Sequence, residues 1–243
     1  MVVLYILAGI FGVIFADIVF LTILALFAGR ERYGKYNKFY AAVYKFHCRI
    51  AIFFSNVKIT VKGREKLDGI NGKFLLVGNH RSNYDPFVTF LALKKDIAFI
   101  SKPENFKVPI FGRIVRRCCY LSIDRTNPKN AVKTLNYAAE LISGGAASVG
   151  VYPEGTRSKG KEMLTFHDGV FKIAQKAACP IAVAAVSGTE RIRKRAPFLR
   201  TKVTVEIADV IYPENFAGLS SHDISAVAKY TIKAATEKND AAK

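Results

Sequence analysis

An α/β fold, a mixed sheet flanked by helices and preceded by an N-terminal membrane helix segment, is predicted by three features of the sequence. Short apolar or alternating runs recur between Val57 and Ile207, helical patterns lie between them, and Met1 to Gly29 is apolar except for Asp17.

The apolar opening would reach about 43 Å as a straight helix, against a hydrocarbon core of about 30 Å. It therefore crosses a membrane with tilt or breaks near Gly9, Gly12 or Asp17. A secretory signal peptide fits less well, because no positively charged region leads it and the apolar run is too long. Arg30, Arg32, Lys35, Lys38, Lys45 and Arg49 follow, which by the positive-inside rule puts the rest of the chain on the cytoplasmic face. From Arg32 to Phe54 basic residues interleave with Tyr33, Tyr36, Phe39, Tyr40, Tyr44 and Phe46. Such a helix suits headgroup depth; the alternative is an ordinary helix packed on the domain. Residues 1–55 are thus expected to be a membrane-anchoring and interfacial segment, and residues 56–243 an α/β domain.

Within that domain Val57 to Val61 and Val203 to Ile207 alternate at period two, as half-buried strands do. Phe74 to Val77, Ala98 to Ser101, Cys119 to Ile123, Ala147 to Val151 and Ile181 to Val186 are short apolar runs suited to buried strands. The clearest helix runs from Pro128 to Ile142, with Asn127 as N-cap, Ala131, Leu135, Ala138 and Ile142 on one face, and Gly144-Gly145 as its stop. Asn239 to Lys243 reads as a disordered tail.

A hydrophobic fraction of 51% is ample for a core, and 37 Lys+Arg against 19 Asp+Glu give a net charge of +18. Such an excess points to a polyanionic partner, either nucleic acid or an anionic bilayer. Cys48, Cys118, Cys119 and Cys179 form no C-x-x-C pair and no zinc-like cluster, so they read as reduced thiols buried as small hydrophobes.

The chemistry concentrates in Gly78-Asn79-His80-Arg81-Ser82-Asn83-Tyr84-Asp85-Pro86, just after the Phe74 to Val77 strand. Asp85 reads as an N-cap and Pro86 as the first helical residue, so His80 sits at the mouth of a strand-to-helix turn. Asp85 can hold one ring nitrogen of His80 while the other faces substrate, the arrangement of a general base. Ser82 lacks a Gly-x-Ser-x-Gly elbow, which disfavours a serine hydrolase.

Four blocks then occur in order: Asn79-His80-x-Ser82-x-x-Asp85, a block ending in Ile123-Asp124-Arg125, Tyr152-Pro153-Glu154-Gly155-Thr156-Arg157, and Cys179-Pro180-Ile181. With them the chain resembles the glycerolipid acyltransferases, specifically the 1-acyl-glycerol-3-phosphate acyltransferase group. Cys119 and Ser122 stand where that group usually has glycine and an aromatic residue. The resemblance implies acyl transfer from acyl-CoA or acyl carrier protein to the sn-2 hydroxyl of 1-acyl-glycerol-3-phosphate, giving phosphatidic acid. In that reading His80 is the base and Asp85 its partner, while Arg125 and Arg157 bind the glycerophosphate. Glu154, Gly155 and Thr156 match the acceptor-binding block, and Lys102 is a further phosphate or oxyanion contact. No metal or other cofactor is implied, and beside a membrane segment the basic run Arg191 to Arg195 suits anionic lipid, coenzyme A or acyl carrier protein better than nucleic acid. His167 reads as a surface residue. The sequence leaves open which thioester is the donor, and keeps as alternatives another lysolipid acceptor or a non-catalytic basic membrane-binding protein.

Overall fold

The computed structural model describes residues 1–29, 31, 34–159 and 162–242, so the expectations for Arg30, Arg32, Tyr33 and Lys243 lie outside the described residues. In chain order the elements are α1 (Val2–Ala28), α2 (Lys38–Phe54), β1 (Val57–Lys62), β2 (Leu75–Gly78), α3 (Asp85–Leu93), β3 (Ile97–Ser101), α4 (Phe111–Arg117) and β4 (Leu121–Ser122). They continue as α5 (Pro128–Ser143), β5 (Ser148–Val151), α6 (Lys172–Ala177), β6 (Ile181–Ser187), α7 (Ile192–Arg195), β7 (Thr201–Ile211), α8 (Pro213–Phe216) and α9 (Ser221–Ala241). The seven strands form one sheet in the order β1-β7-β6-β2-β5-β3-β4. Every neighbouring pair is parallel except β6 and β7, so the sheet is mixed.

Strands β2, β5 and β6 are buried at every residue, which is why they read as unbroken apolar runs rather than alternating ones. At the edge, β1 alternates between half-buried and exposed. Parallel β2, β3 and β5 end together, and the loops leaving their carboxyl ends gather on one side of the sheet, where α/β folds place ligands.

Helix α1 is continuous, so the apolar segment does not break at Gly9, Gly12 or Asp17. Two interior glycines weaken a helix by about 1 kcal/mol each, too little to interrupt an apolar run of this length. Asp17 needs no break to reach a partner: its carboxylate lies 3.1 Å from His47 Nε2 in α2, and His47 Nδ1 donates to Val43 O at 2.8 Å. Farther along, Tyr40 Oη donates to Leu24 O and Arg113 Nη1 to Ala25 O. The C-terminal half of α1 is therefore docked, whereas its most apolar 18-residue window is only 6% buried.

Helix α2 sorts its aromatic residues by type. Tyr36, just before it, and Tyr40 and Tyr44 within it face inward, while Phe39, Phe46, Phe53 and Phe54 face outward. Tyr36, Tyr40 and Tyr44 thus pack into the domain rather than forming an outward face with the phenylalanines; Tyr44 packs among Phe87, Phe90, Phe111 and Tyr120. Helix α5 starts at Pro128 with the Asn127 side chain accepting from the Lys129 and Asn130 amides, and stops at Gly144.

Two regions depart from expectation. The Cys119 to Ile123 run shortens to the two-residue β4, because Cys119 adopts φ +59°, a left-handed conformation that glycine favours and that no strand contains. The expected tail is instead the end of α9: Asn239 is 2% exposed, accepts from Lys62 Nζ and donates to Glu206. Its polar composition hides the docking, because polar partners rather than apolar burial hold it.

All four cysteines are free and buried. Burial pushes the thiols of Cys119 and Cys179 up to about 11 from an ordinary 9.0, and Cys118 higher still. An acid whose folded-state pKa is raised contributes stability below the unfolded value and loses it as pH climbs toward the folded one. Native protein should therefore resist maleimide at pH 7.5 at all four thiols, and its urea midpoint should fall between about pH 9 and 11. Rapid alkylation of the native state at pH 7.5 would contradict this burial.

Candidate active site

The loop between β2 and α3 is built around one carboxylate. Asp85 is fully buried, and its Oδ2 accepts from the Arg81 amide at 2.7 Å, the Ser82 amide at 2.7 Å and His80 Nδ1 at 2.8 Å. Its Oδ1 accepts a short hydrogen bond from the Thr189 hydroxyl. Asp85 is thus not the N-cap: Tyr84 holds that place without a side-chain cap, and Asp85 is the first helical residue. Its carboxylate turns back on the loop because the loop offers two amides and a ring nitrogen.

The backbone amides can only donate, so Oδ2 is an acceptor and the proton between Oδ2 and His80 sits on Nδ1. Among the described residues His80 Nε2 has no hydrogen-bond partner, and the side chain keeps 19% of its surface open. The ring is fixed from three further directions. It stacks on Tyr152 at 4.7 Å and 17°, its amide donates to Glu154 Oε1 at 2.6 Å, and its carbonyl accepts from the Ser158 amide at 2.9 Å. Tyr152 stacks in turn on Phe99 at 5.8 Å. Asn79 anchors the loop's start: its amide group exchanges two hydrogen bonds with the Val186 backbone of β6.

His80 opens onto a cleft of about 500 Å³. Lys102, Arg125, Gly155, Thr156 and Arg157 line it, together with apolar Tyr44, Phe87, Val108 and Phe111. Among the described residues, none of Lys102, Arg125 and Arg157 has a carboxylate within 4 Å. Burial pulls the Arg125 guanidinium down, but an arginine stays charged at any physiological pH. The cleft therefore offers three cations, one unengaged ring nitrogen and an apolar wall, which together suit a phosphate-bearing amphiphile.

Of the residues singled out from the sequence, His80, Lys102, Arg125, Gly155, Thr156 and Arg157 meet at the cleft and Asp85 lies directly behind His80. Glu154 does not: it is 3% exposed and spends its two oxygens on the amides of His80 and Leu164. Burial raises its pKa, and those two amides oppose the rise. It is a strut under the loop rather than a surface for acceptor. His167 is exposed, yet its ring fills the space where a Gly155 side chain would be, 2.9 Å from the position of a Cβ. With φ +69° as well, Gly155 has two reasons to be glycine. Thr189, Ser158 and Tyr44 escape a sequence reading, because each reaches the site across 70 or more residues or from a segment read as interfacial.

The Acyltransferase family profile matches residues 58–187, more than half of the chain and all four blocks. The chain belongs to this family. Among similar proteins, the chloroplastic 1-acyl-sn-glycerol-3-phosphate acyltransferase LPAT1 of Arabidopsis thaliana is 34% identical over 154 residues, covering 61% of this chain and 43% of that one. The 1-acyl-sn-glycerol-3-phosphate acyltransferase of Haemophilus influenzae is 28% identical over 156 residues, covering 64% of each. The crystal structure of the 1-acyl-sn-glycerophosphate acyltransferase PlsC of Thermotoga maritima superposes with a TM-score of 0.69 at 24% identity, covering 81% of this chain and 78% of that one, and so shares the fold. The match spans less than half the length of the chloroplast relative.

Within an acyltransferase the strut is open to test. Glu154→Gln keeps the shape but turns an amide N–H toward one of two backbone donors, loosening His80. Misplacement of a catalytic group by about 1 Å costs up to about 100-fold in rate. The expected outcome is a fall in kcat with the KM of both substrates nearly unchanged; a rise in acceptor KM at constant kcat would mean that Glu154 contacts substrate.

Proposed function

We propose that the chain transfers a fatty acyl group from acyl-CoA or acyl carrier protein to the sn-2 hydroxyl of 1-acyl-glycerol-3-phosphate, giving phosphatidic acid at the cytoplasmic face of a membrane. The observation that carries this reading is the ring of His80, held at Nδ1 by Asp85, lining the same cleft as Lys102, Arg125 and Arg157. The names of the relatives support the acceptor, and α1 supports the membrane, being long and apolar enough to cross one.

In this mechanism Arg125 and Arg157 grip the phosphate of the acceptor with planar two-donor forks, and Thr156 adds a hydroxyl. That fixes the glycerol beneath His80. Nε2 takes the proton of the sn-2 hydroxyl as its oxygen attacks the thioester carbonyl, a role typically worth about 100- to 10,000-fold in rate. Asp85 stabilises the imidazolium that forms. Lys102 faces the same cleft and offsets the negative charge developing on the carbonyl oxygen. When the intermediate collapses, the C–S bond breaks and the thiolate leaves with the proton returned by His80. A thioester is already activated, so no acyl-enzyme is needed. Tyr44, Phe87, Val108 and Phe111 give the acyl chain an apolar wall.

The test is thiol release from acyl-CoA, or from acyl carrier protein, by membranes containing the chain, with the lipid product identified. Release that depends on 1-acyl-glycerol-3-phosphate and yields phosphatidic acid is expected. Arg125→Ala or Arg157→Ala should raise the acceptor KM about 10- to 100-fold and leave the donor KM in place, since a hydrogen bond to a charged group is worth about 1.5–3 kcal/mol. Release that depends on a different lysolipid would move the substrate, and no release with any acceptor would end the enzymatic reading.

A further inference from the structure

The turn between α7 and β7 carries features that neither the fold nor the cleft uses. Phe198 is 89% exposed and Leu199 is 58% exposed, in an ordered turn whose Ala196 and Leu199 amides both donate to carbonyls of α7. Exposed Arg193, Lys194, Arg200 and Lys202 flank them in the chain, with no acidic residue between positions 191 and 202; Arg191 is already paired with Glu190 at 3.6 Å. An exposed apolar tip flanked by cations is costly in water and matched to a lipid headgroup layer.

Its position in the sheet gives the tip a place. Thr201 N donates to Asn56 O at 2.9 Å, and Val57 of β1 pairs with Thr201 of β7, so the tip stands beside the end of α2. There Phe53 is 76% and Phe54 is 68% exposed, and the outer stripe of α2 continues through Ile50, Phe46 and Phe39. Exposed Lys58 and Lys202 face each other across the same strand pair. Because β7 runs antiparallel to β6, and β6 parallel to β2, the Thr201 end of β7 lies at the end of the sheet where β2 delivers His80.

We propose that the turn Ala196 to Arg200 is a second membrane contact, inserting Phe198 and Leu199 between anionic lipid headgroups while Arg193, Lys194 and Arg200 pair with their phosphates. This rests on the membrane reading above and adds a fixed point to it. With α1 leaving one side of the domain and the turn touching down at the catalytic end, the cleft is held at headgroup level, where a phosphate can reach Arg125 and Arg157 while its acyl chain stays in the bilayer. The occupant is a bilayer rather than a protein because the apolar stripe runs on into α2, which is docked to α1 through Asp17 and His47.

The chain contains no tryptophan, so single tryptophans report cleanly. Full-length Phe198→Trp and Phe11→Trp, each shown by circular dichroism to be folded, are reconstituted into bilayers of zwitterionic lipid with or without phosphatidylglycerol, and quenched by brominated acyl chains. Emission from Phe198→Trp should shift blue and fall roughly twofold in the anionic bilayers, as for an interfacial aromatic residue. Adding Arg193→Gln, Lys194→Gln and Arg200→Gln should return it to its zwitterionic level. Quenching at position 11 without quenching at position 198 overturns the second contact and leaves the membrane reading intact; no quenching at either overturns both. A position-198 signal that responds to acidic acyl carrier protein and not to brominated lipid would assign the turn to that protein and refute the proposal.

Discussion

The carboxylate of Asp85 is the constraint on which the site depends. A fully buried charge is tolerable only with its acceptor positions filled, and here two loop amides, a ring nitrogen and a hydroxyl from beyond β6 fill them. Those donors come from residues 80–82 and 189, so satisfying one charge ties the β2–α3 loop to the strand beside it. The same bonds set the orientation of the His80 ring. Nδ1 is committed to the carboxylate, and Nε2 is free for chemistry. In the proposed mechanism folding and catalysis share one interaction, and removing a partner from such a buried group typically costs about 3–5 kcal/mol.

Around that hub, polar and aromatic supports act by position. Glu154 and Ser158 hold the His80 backbone from two sides, and the Tyr152–Phe99 stack carries the ring's plane into the core. Net positive charge is then divided by place. Lys102, Arg125 and Arg157 face the cleft, whereas Arg193, Lys194 and Arg200 are exposed near the turn before β7. One set is suited to a single phosphate and the other to a surface bearing many.

Much of the fold is legible in the sequence because burial and period coincide there. Strands β2, β5 and β6 are covered on both faces and read as unbroken apolar runs, and α5 carries its own cap and stop. What is not legible depends on distant partners. Nothing near Thr189 signals that it bonds to Asp85, and Glu154 looks like a ligand until its burial is known. The tyrosines of α2 look interfacial beside so many cations, yet only the packed structure separates inward Tyr40 and Tyr44 from outward Phe46 and Phe53. The left-handed Cys119 is concealed because the chain has a cysteine where its family usually has glycine. Local pattern yields elements, whereas the orientation of polar groups is decided by whatever meets them in three dimensions.

The claim that His80 is the base, poised by Asp85, is tested most directly by acceptor-dependent thiol release in membranes carrying the wild-type chain, His80→Ala or Asp85→Asn at matched protein levels. His80→Ala should lose about 100-fold or more and Asp85→Asn nearly as much, since either change removes a correctly held base. Near-wild-type rates for folded His80→Ala would contradict it.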